Sequence, residues 1–407
     1  VDPHAKTDGI LATDRPAGRV RLRELAQTFF LIGLTSYGGP AIVAQIRAVT
    51  VLKKKWLTDD EFQESLAFCQ TLPGPIAVQT AAHVGWRMGG PLGALLVTVA
   101  YVLPTFVFML ALSALYVRLG ELPAVVSVLQ GLRAVVVAIV MDSILSMARP
   151  ALKDWRGVLM AAAAATALLL GAGALLVLLG SALAATLLLW GIKPPEVEEG
   201  RGEGPARPTQ RWTTTATILS VALLFSGAVA LSGSWNPALP GLALTMVKVD
   251  MLAFGGGYTA IALMHDQVVK VHPWLTSQEF LDGLALGQIT PGPVMITATF
   301  VGYKVAGMAG ALVATMGIFL PSWLLLALLA PQFQRMRSLV LVHRMVRGLL
   351  AAFVAMLVYV LWQVAQAAVG DWRGWLLTAA ALAALRAKIP PLWVVGTGII
   401  VSAMLFR

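Results

Sequence analysis

The sequence predicts an all-α protein that crosses a membrane many times. It is built from two homologous halves, read as inverted-topology repeats, each with a helix broken at Pro-Gly-Pro. Three observations lead there. Hydrophobic residues make up 58% of the 407 and charged residues 12%, against roughly 25% charged in a soluble domain. That leaves too little polar surface to cover such a chain in water. Apolar runs such as residues 91–117 exceed the roughly 20 residues that span a hydrocarbon core. Pro-Gly-Pro then interrupts two apolar stretches, at 73–75 and again at 291–293.

Composition excludes several functions. The single cysteine, Cys69, allows no intrachain disulfide and reads as a packing residue. The five histidines lack the i, i+4 pairing of a zinc site, so no metal or cofactor is expected. No phosphate-binding loop and no nucleophile elbow occurs. An ATP-driven motor would need another chain, and no enzymatic activity is expected. A net charge of +10 in a soluble protein would suggest nucleic acid. Here the basic residues sit in tails and short loops, as membrane proteins keep them, so no nucleic-acid partner is expected. Residues 1–24 lack an early apolar core and read as a disordered or amphipathic tail, not a secretory signal.

A polar linker, residues 193–211, carries four basic and four acidic residues. Around it the sequence repeats at an offset of 217, which becomes 218 between Trp56 and Pro75. Gly38-Gly39 matches Gly255-Gly256, Trp56-Leu57-Thr58 matches Trp274-Leu275-Thr276, and Glu61-Phe62 matches Glu279-Phe280. Gln70 matches Gln288, Gly85 matches Gly302, Pro104 matches Pro321 and Gly131 matches Gly348. Asp154-Trp155-Arg156-Gly157 matches Asp371-Trp372-Arg373-Gly374. The repeats occupy 25–192 and 240–407, with a hydrophobic connection at 212–239.

Each half has the same order. A helix with a glycine cluster (about 25–47; about 240–264) leads to a polar loop ending in Trp-Leu-Thr. The Pro-Gly-Pro segment follows (about 60–88; about 278–305), then two long spans (about 91–117 and 123–147; about 308–332 and 345–366). Short apolar segments close each half (157–192; 374–406). Charge gives the orientation. In the first half the loop bearing Arg149, Lys153 and Arg156 is basic, while Arg118 is balanced by Glu121. In the second half the earlier loop is the basic one, with Arg335, Arg337, Arg344 and Arg347. The basic loop has changed sides, which predicts inversion. One pattern resists: the tail (Arg15, Arg19, Arg21, Arg23) and Lys53-Lys54-Lys55 are both basic, with one helix between them.

The breaks carry the functional reading. Unsatisfied backbone in lipid costs several kcal/mol per group, so a proline break needs cover from protein or water. About 14 residues lie on each side of Pro-Gly-Pro, roughly 21 Å of helix and too short to span. Two half-helices meeting within the membrane are predicted. Pro75 and Pro293 suit the first helical position, with free N–H groups beyond them facing the break. Such a terminus attracts anions, and two in register describe a transporter site better than a simple kink. Gly38, Gly39 and Pro40, with Gly255, Gly256 and Gly257, form a second pair, read equally as unwound backbone or as tight helix packing.

Polar candidates near the breaks are Gln70, Gln79, Thr80, Gln288, Thr290 and Thr297, which also suit hydrogen bonds between helices. Arg87 and Lys304 occupy equivalent positions and read mainly as helix-end anchors. Arg133 and Asp142 lie on opposite faces of one predicted span. Asp142 and Asp250 are the candidates for carrying a proton. Glu61 and Glu279 suit helix caps.

At this point the residues resemble a known family. LTSYGGPA, Trp-Leu-Thr, QTLPGPIAVQTA and GGPLGALL, echoed by AFGGGYTA, QITPGPV and VAGMAGALVA, are similar to the chromate ion transporter family in its long, two-domain form. The resemblance covers about 20–407. It implies export of chromate across the bacterial inner membrane, coupled to protons, giving resistance. It also places substrate contacts at Gly38, Gly39 and Pro40 and at Pro73, Gly74 and Pro75, with Pro291, Gly292 and Pro293 as the repeat. Gly257 departs from the pattern, standing where proline would match Pro40. Chromate and sulfate share size, shape and charge, so either is an expected substrate. An uncoupled anion channel is the alternative mechanism, and a homodimer is compatible with the sequence.

Overall fold

The computed structural model describes residues 21–37, 39–120, 122–189, 208–332, 340–368 and 371–405, and no strand occurs among them. Most of the predicted linker and tail, together with Gly38, Glu121, Arg335 and Arg337, lies outside the described residues. The helices are α1 (Leu22–Thr35), α2 (Gly39–Arg47), α3 (Asp59–Thr71), α4 (Ile76–Leu119), α5 (Pro123–Ala151), α6 (Trp155–Leu169), α7 (Ala174–Leu188), α8 (Pro208–Ser232), α9 (Ala238–Leu252), α10 (Gly257–His265), α11 (Ser277–Ile289), α12 (Thr297–Leu329), α13 (Val340–Ala368), α14 (Trp372–Arg386) and α15 (Pro391–Leu405). Among the described residues, five stretches are long and apolar enough to cross a membrane; they lie in α4, α5, α8, Val294–Gln332 and α13.

The Pro-Gly-Pro segments re-enter. Thr58 and Glu61 form a capping box that starts α3, and Thr276 and Glu279 repeat it at α11. The same Glu61 pairs with Arg87 at 3.0 Å, and Glu279 pairs with Lys304 at 2.9 Å. Deeper in, Phe68 meets His83 at 5.2 Å between ring centres. The outer ends of both arms therefore sit together, and Pro-Gly-Pro forms the tip of a hairpin. The chain then reverses inside α4 at Gly89 and Gly90, where Gly90 takes φ 65°. Gly85 packs directly on the Gly93 carbonyl, a contact that leaves no room for a side chain. In α12 the reversal falls at Ala306 and Gly307, with Gly302 against Gly310.

The glycine clusters also sit at hairpin tips. Glu24, near the start of α1, pairs at 2.8 Å with Lys54, beyond the end of α2. This accounts for the resistant charge pattern: the segment between Arg23 and Lys53 returns to the face it left. In the second half α9 runs beside the long arm of α12, with Gly317 against Ala243 and Met246. Beyond α10, Lys270 lies 4.1 Å from the Tyr359 ring, toward the end of α13.

The inversion follows from α4. Its long arm, residues 91–119, covers about 42 Å at 1.5 Å per residue. At its start lie Leu22 and the outer end of the first Pro-Gly-Pro hairpin. At its other end Tyr116 donates to Asp282 at 2.9 Å and packs on Phe300 at 5.1 Å, in the outer part of the second hairpin. The two hairpins enter from opposite faces. Arg21, Arg23, Lys53, Lys54, Lys55, Arg149, Lys153, Arg156 and Arg347 all fall on the first hairpin's face, which the positive-inside rule assigns to the cytoplasm. Arg347 pairs across the repeats with Asp154 at 2.8 Å.

The halves are interleaved. Gly131 on α5 packs on Ser402 of α15, and its equivalent Gly348 on α13 packs on Ser181 and Ala185 of α7. Thr378 of α14 donates to the Ala134 carbonyl at 3.1 Å. Arg133 forms a two-pronged pair with Asp282 at 2.6 and 2.8 Å, and Asp282 is 1% exposed. Removing one partner of such a pair costs about 3–5 kcal/mol. Asp154 and Asp371 cap α6 and α14 by accepting from Gly157 and Gly374, each at 3.0 Å. Trp155 and Trp372 then project outward with Arg156 and Arg373 against their rings, suited to the membrane interface. Exposed leucines such as Leu92 and Leu183 face the hydrocarbon.

A Cβ built on Gly398 lies 3.8 Å from Val135 Cβ, inside the range for a disulfide of about 3.5–4.5 Å. With Cys69 replaced by alanine and a protease site placed in the linker, oxidised V135C/G398C should stay full length after cleavage and separate on reduction. Gel mobility reads the outcome.

Candidate functional site

The tips of the four hairpins meet in the interior. At the first Pro-Gly-Pro, Gly74 takes φ 110° and donates its N–H to the Ala253 carbonyl at 2.9 Å, in the break between α9 and α10. At the second, Gly292 takes φ 113° and donates to the Ser36 carbonyl at 2.7 Å, in the break between α1 and α2. Ser36 and Ala253 are repeat-equivalent, so the two bonds are one interaction used twice. Each half holds the other's tip. Gly255 and Gly256 (φ 90° and 105°) unwind the second glycine tip; a Cβ built on Gly256 would lie 3.6 Å from Ile76, and one on Gly257 would lie 3.7 Å from Met295.

Pro75 and Pro293 stand one position before the place expected from sequence. They are N-caps with extended backbone (ψ 102° and 136°), because the chain must leave the glycine turn before it can coil. The Pro75 carbonyl accepts the first helical bond, from Gln79 N–H at 3.0 Å. The first turn of α4 keeps the N–H groups that no helix satisfies internally, and the helix begins at the tip.

The first tip rests on a buried carboxylate. Asp250, 0% exposed, accepts from the Ser322 N–H at 2.8 Å and from the Ser322 hydroxyl at 2.7 Å. Gln79 Nε2 bonds the Pro73 carbonyl and lies 3.4 Å from Ser322 Oγ. A Cβ on Gly74 would overlap Ser322 Oγ and approach Asp250 Oδ1 to 2.9 Å. The second tip faces Thr105, the repeat equivalent of Ser322; a Cβ on Gly292 would overlap Thr105 Oγ1.

Other sequence candidates fall around these tips or away from them. Pro73, Pro291, Thr80 and Thr297 are buried at the tips. The Thr80, Thr290 and Thr297 hydroxyls are engaged by their own helices, donating to Ile76, Leu286 and Val294 carbonyls at 2.7, 2.8 and 2.9 Å. Gln288 is buried with Nε2 unpartnered, and Gln70 is exposed. Gly39 and Pro40 open α2. Arg87 and Lys304 hold the outer ends of the hairpins, and Arg133 holds Asp282. Asp142 is partly exposed and pairs with Arg386 at 3.6 Å. Sequence reasoning missed Ser322, Thr105, Ser36 and Tyr101. Thr105 and Ser322 directly follow the matched prolines Pro104 and Pro321, which could have flagged them.

The family model for chromate transporters matches residues 23–187 and again 241–403. The chain belongs to the chromate transporter family. A chromate transport protein of Cupriavidus metallidurans is 33% identical over 336 residues, 81% of this chain and 79% of that protein. A chromate transport protein of Pseudomonas aeruginosa is 32% identical over 325 residues, 74% of this chain and 70% of the relative. An uncharacterized transporter of Methanocaldococcus jannaschii is 32% identical over 333 residues, 82% of each chain. No solved structure matches.

In this chromate transporter family member, G74A and G292A should each destabilise the detergent-solubilised protein by about 2 kcal/mol or more, since left-handed backbone and overlap both oppose a side chain there. G180A, in open space on α7, should leave the melting temperature equal to or slightly above wild type. Thermal unfolding of the three variants checks this.

Proposed function

We propose that this protein is a secondary active transporter that exports chromate across the bacterial inner membrane, coupled to protons, and so confers chromate resistance. The observation that carries the reading is the pair of cross-braced tips with Asp250 beneath one of them. A membrane interior tolerates irregular backbone only where protein buries it or where it lines a water-filled path, and two equivalent breaks held tip to tip suit the second. A carboxylate buried there without a cationic partner marks a proton or ion route. Relatives bearing the name chromate transport protein supply the substrate. The fold supplies alternating access: two inverted halves, each gripping the other's hairpin, can exchange grips without losing the central bonds.

Asp250 carries the proton in this scheme. Its partner Ser322 sits directly after Pro321, and both touch the tip at Gly74, so protonation changes the hydrogen bonds that hold that tip. Asp142, paired with Arg386 near the end of its helix, plays no part in coupling. The candidates for substrate contact are those read from sequence: Gly38 to Pro40, Pro73 to Pro75, Gln79, Thr80, Gly255 to Gly257, Pro291 to Pro293 and Thr297. Arg87, Lys304 and Arg133 shape the field from the hairpin ends.

Uptake of radiolabelled chromate into everted vesicles tests the scheme. Wild type should accumulate chromate only with an imposed proton gradient. D250N should reduce gradient-driven uptake by about tenfold or more, while D142N should stay within about twofold of wild type. Equal gradient dependence in wild type and D250N would remove Asp250 from coupling. Gradient-independent flux in wild type would point to a channel, and full suppression by unlabelled sulfate would move the substrate to sulfate.

A further inference from the structure

The two tips are equivalent by descent but differ in chemistry. Four pairs of equivalent positions on the helices beside the tips show it. Asp250, Ala253 and Ser322 meet the Gly74 tip, with Ile318 one turn before Ser322. Their repeat equivalents are Gly33, Ser36, Thr105 and Tyr101, of which Ser36 and Thr105 meet the Gly292 tip. The second half has an acid where the first has glycine. The first half has hydroxyls at Ser36 and Tyr101 where the second has alanine and isoleucine. The pair Ser322 and Thr105 keeps a hydroxyl in both.

Those hydroxyls also differ in how they are satisfied. Ser322 is engaged by Asp250. Ser36, Tyr101 and Thr105 are each 0% exposed, and Ser36 Oγ, Tyr101 OH and Thr105 Oγ1 make no hydrogen bond of ordinary geometry. The Tyr101 hydroxyl faces Ser36. Thr105 Oγ1 abuts the Gly292 backbone, and the Gly292 N–H meets the Ser36 carbonyl. Thr105 Oγ1, without a partner, and the facing Ser36 and Tyr101 hydroxyls, which have only each other, thus converge on one hairpin tip. Leaving a buried polar group unmade is costly, and under-satisfied hydroxyls gathered at one point mark a place for a ligand.

The surroundings select the ligand's charge. Gly33 packs so closely on the Tyr101 carbonyl and Pro104 that no acidic side chain fits there. The Ser36 carbonyl already accepts from the Gly292 N–H. What remains are O–H donors beside α2, whose first turn starts three residues after Ser36 and presents its positive end. We propose that the tip at Gly292, with Ser36, Tyr101 and Thr105, is the binding subsite for a divalent tetrahedral oxyanion, and that the tip at Gly74 has given up anion binding for the carboxylate. This rests on the transporter reading above and assigns its substrate to one of the two tips.

The test is titration of the purified full-length protein with chromate, and separately with sulfate, by isothermal calorimetry. S36A, Y101F and T105V each remove one hydroxyl and little volume. T98V removes a buried hydroxyl on the same helix that bonds its own backbone, at Ala94 O (2.9 Å). Each site variant should raise the oxyanion Kd by about tenfold or more, the effect of one hydrogen bond to a charged group. T98V should not. Because Thr105 Oγ1 has no partner in the protein, T105V should also leave the unliganded melting temperature equal to or above wild type, whereas loss of a hydroxyl that braces the fold would lower it. Weakened binding of sulfate alone would support the subsite and change the substrate. Unchanged Kd in all three variants, or loss of binding in S322A instead, would overturn the subsite while the transporter reading stands. Wild type that binds neither anion would overturn both.

Discussion

Two backbone hydrogen bonds organise this protein: Gly74 N–H to the Ala253 carbonyl, and Gly292 N–H to the Ser36 carbonyl. Eight half-helices end inside the membrane, and every such end leaves polar backbone that lipid cannot satisfy. Within one half both hairpins enter from the same face, and each Pro-Gly-Pro donor finds its acceptor only in the other half. Inversion solves it. The Pro-Gly-Pro tip from one face arrives beside the glycine tip from the other, and each donor finds its acceptor in the opposite half. The geometry requires glycine at both donors, since their left-handed backbone and the hydroxyls packed on them exclude a side chain.

The rest of the structure follows from bringing those tips together. The outer ends of the hairpins are fixed by Glu61 with Arg87 and Glu279 with Lys304, pairs that also cap the first arms. The closing helices of each half pack on the long span of the other, through Gly131 against Ser402 and Gly348 against Ala185. The chain is one interleaved body, and the symmetry of its backbone leaves the side chains free to diverge. They have done so at the tips: Asp250 and Ser322 on one side, Ser36, Tyr101 and Thr105 on the other. A coupled carrier needs a site that takes a proton and a site that takes a substrate. On the proposed reading, duplication followed by divergence provides both.

Much of this was legible in the sequence. Duplication was visible in the matched Pro-Gly-Pro and Asp-Trp-Arg-Gly motifs, and inversion in the loop that carried the arginines. The capping role of Glu61 and Glu279 followed from their spacing after threonine. Re-entry was not legible, because two segments of about 14 residues joined at a break look the same whether they cross or turn back. The clue was present in the basic residues on both flanks of α1 and α2, which make sense once Glu24 meets Lys54. The partners of Arg133 and Asp142 were also hidden, since Asp282 and Arg386 lie more than a hundred residues away in sequence. The hydroxyls at Ser36, Tyr101 and Thr105 carry no motif. Only the fold brings them to Gly292, and only comparison of the two halves shows what replaced them.

The central claim is that equivalent hairpins enter from opposite faces. Asp60 and Gln278 are repeat-equivalent, exposed, and placed at the outer ends of the two Pro-Gly-Pro hairpins. In a background lacking Cys69, single cysteines at these positions can be labelled with a membrane-impermeant maleimide in right-side-out and in everted vesicles. The account predicts that D60C is labelled only in everted vesicles and Q278C only in right-side-out ones, with K53C and K153C behaving as D60C does. Labelling of D60C and Q278C from the same face would contradict it.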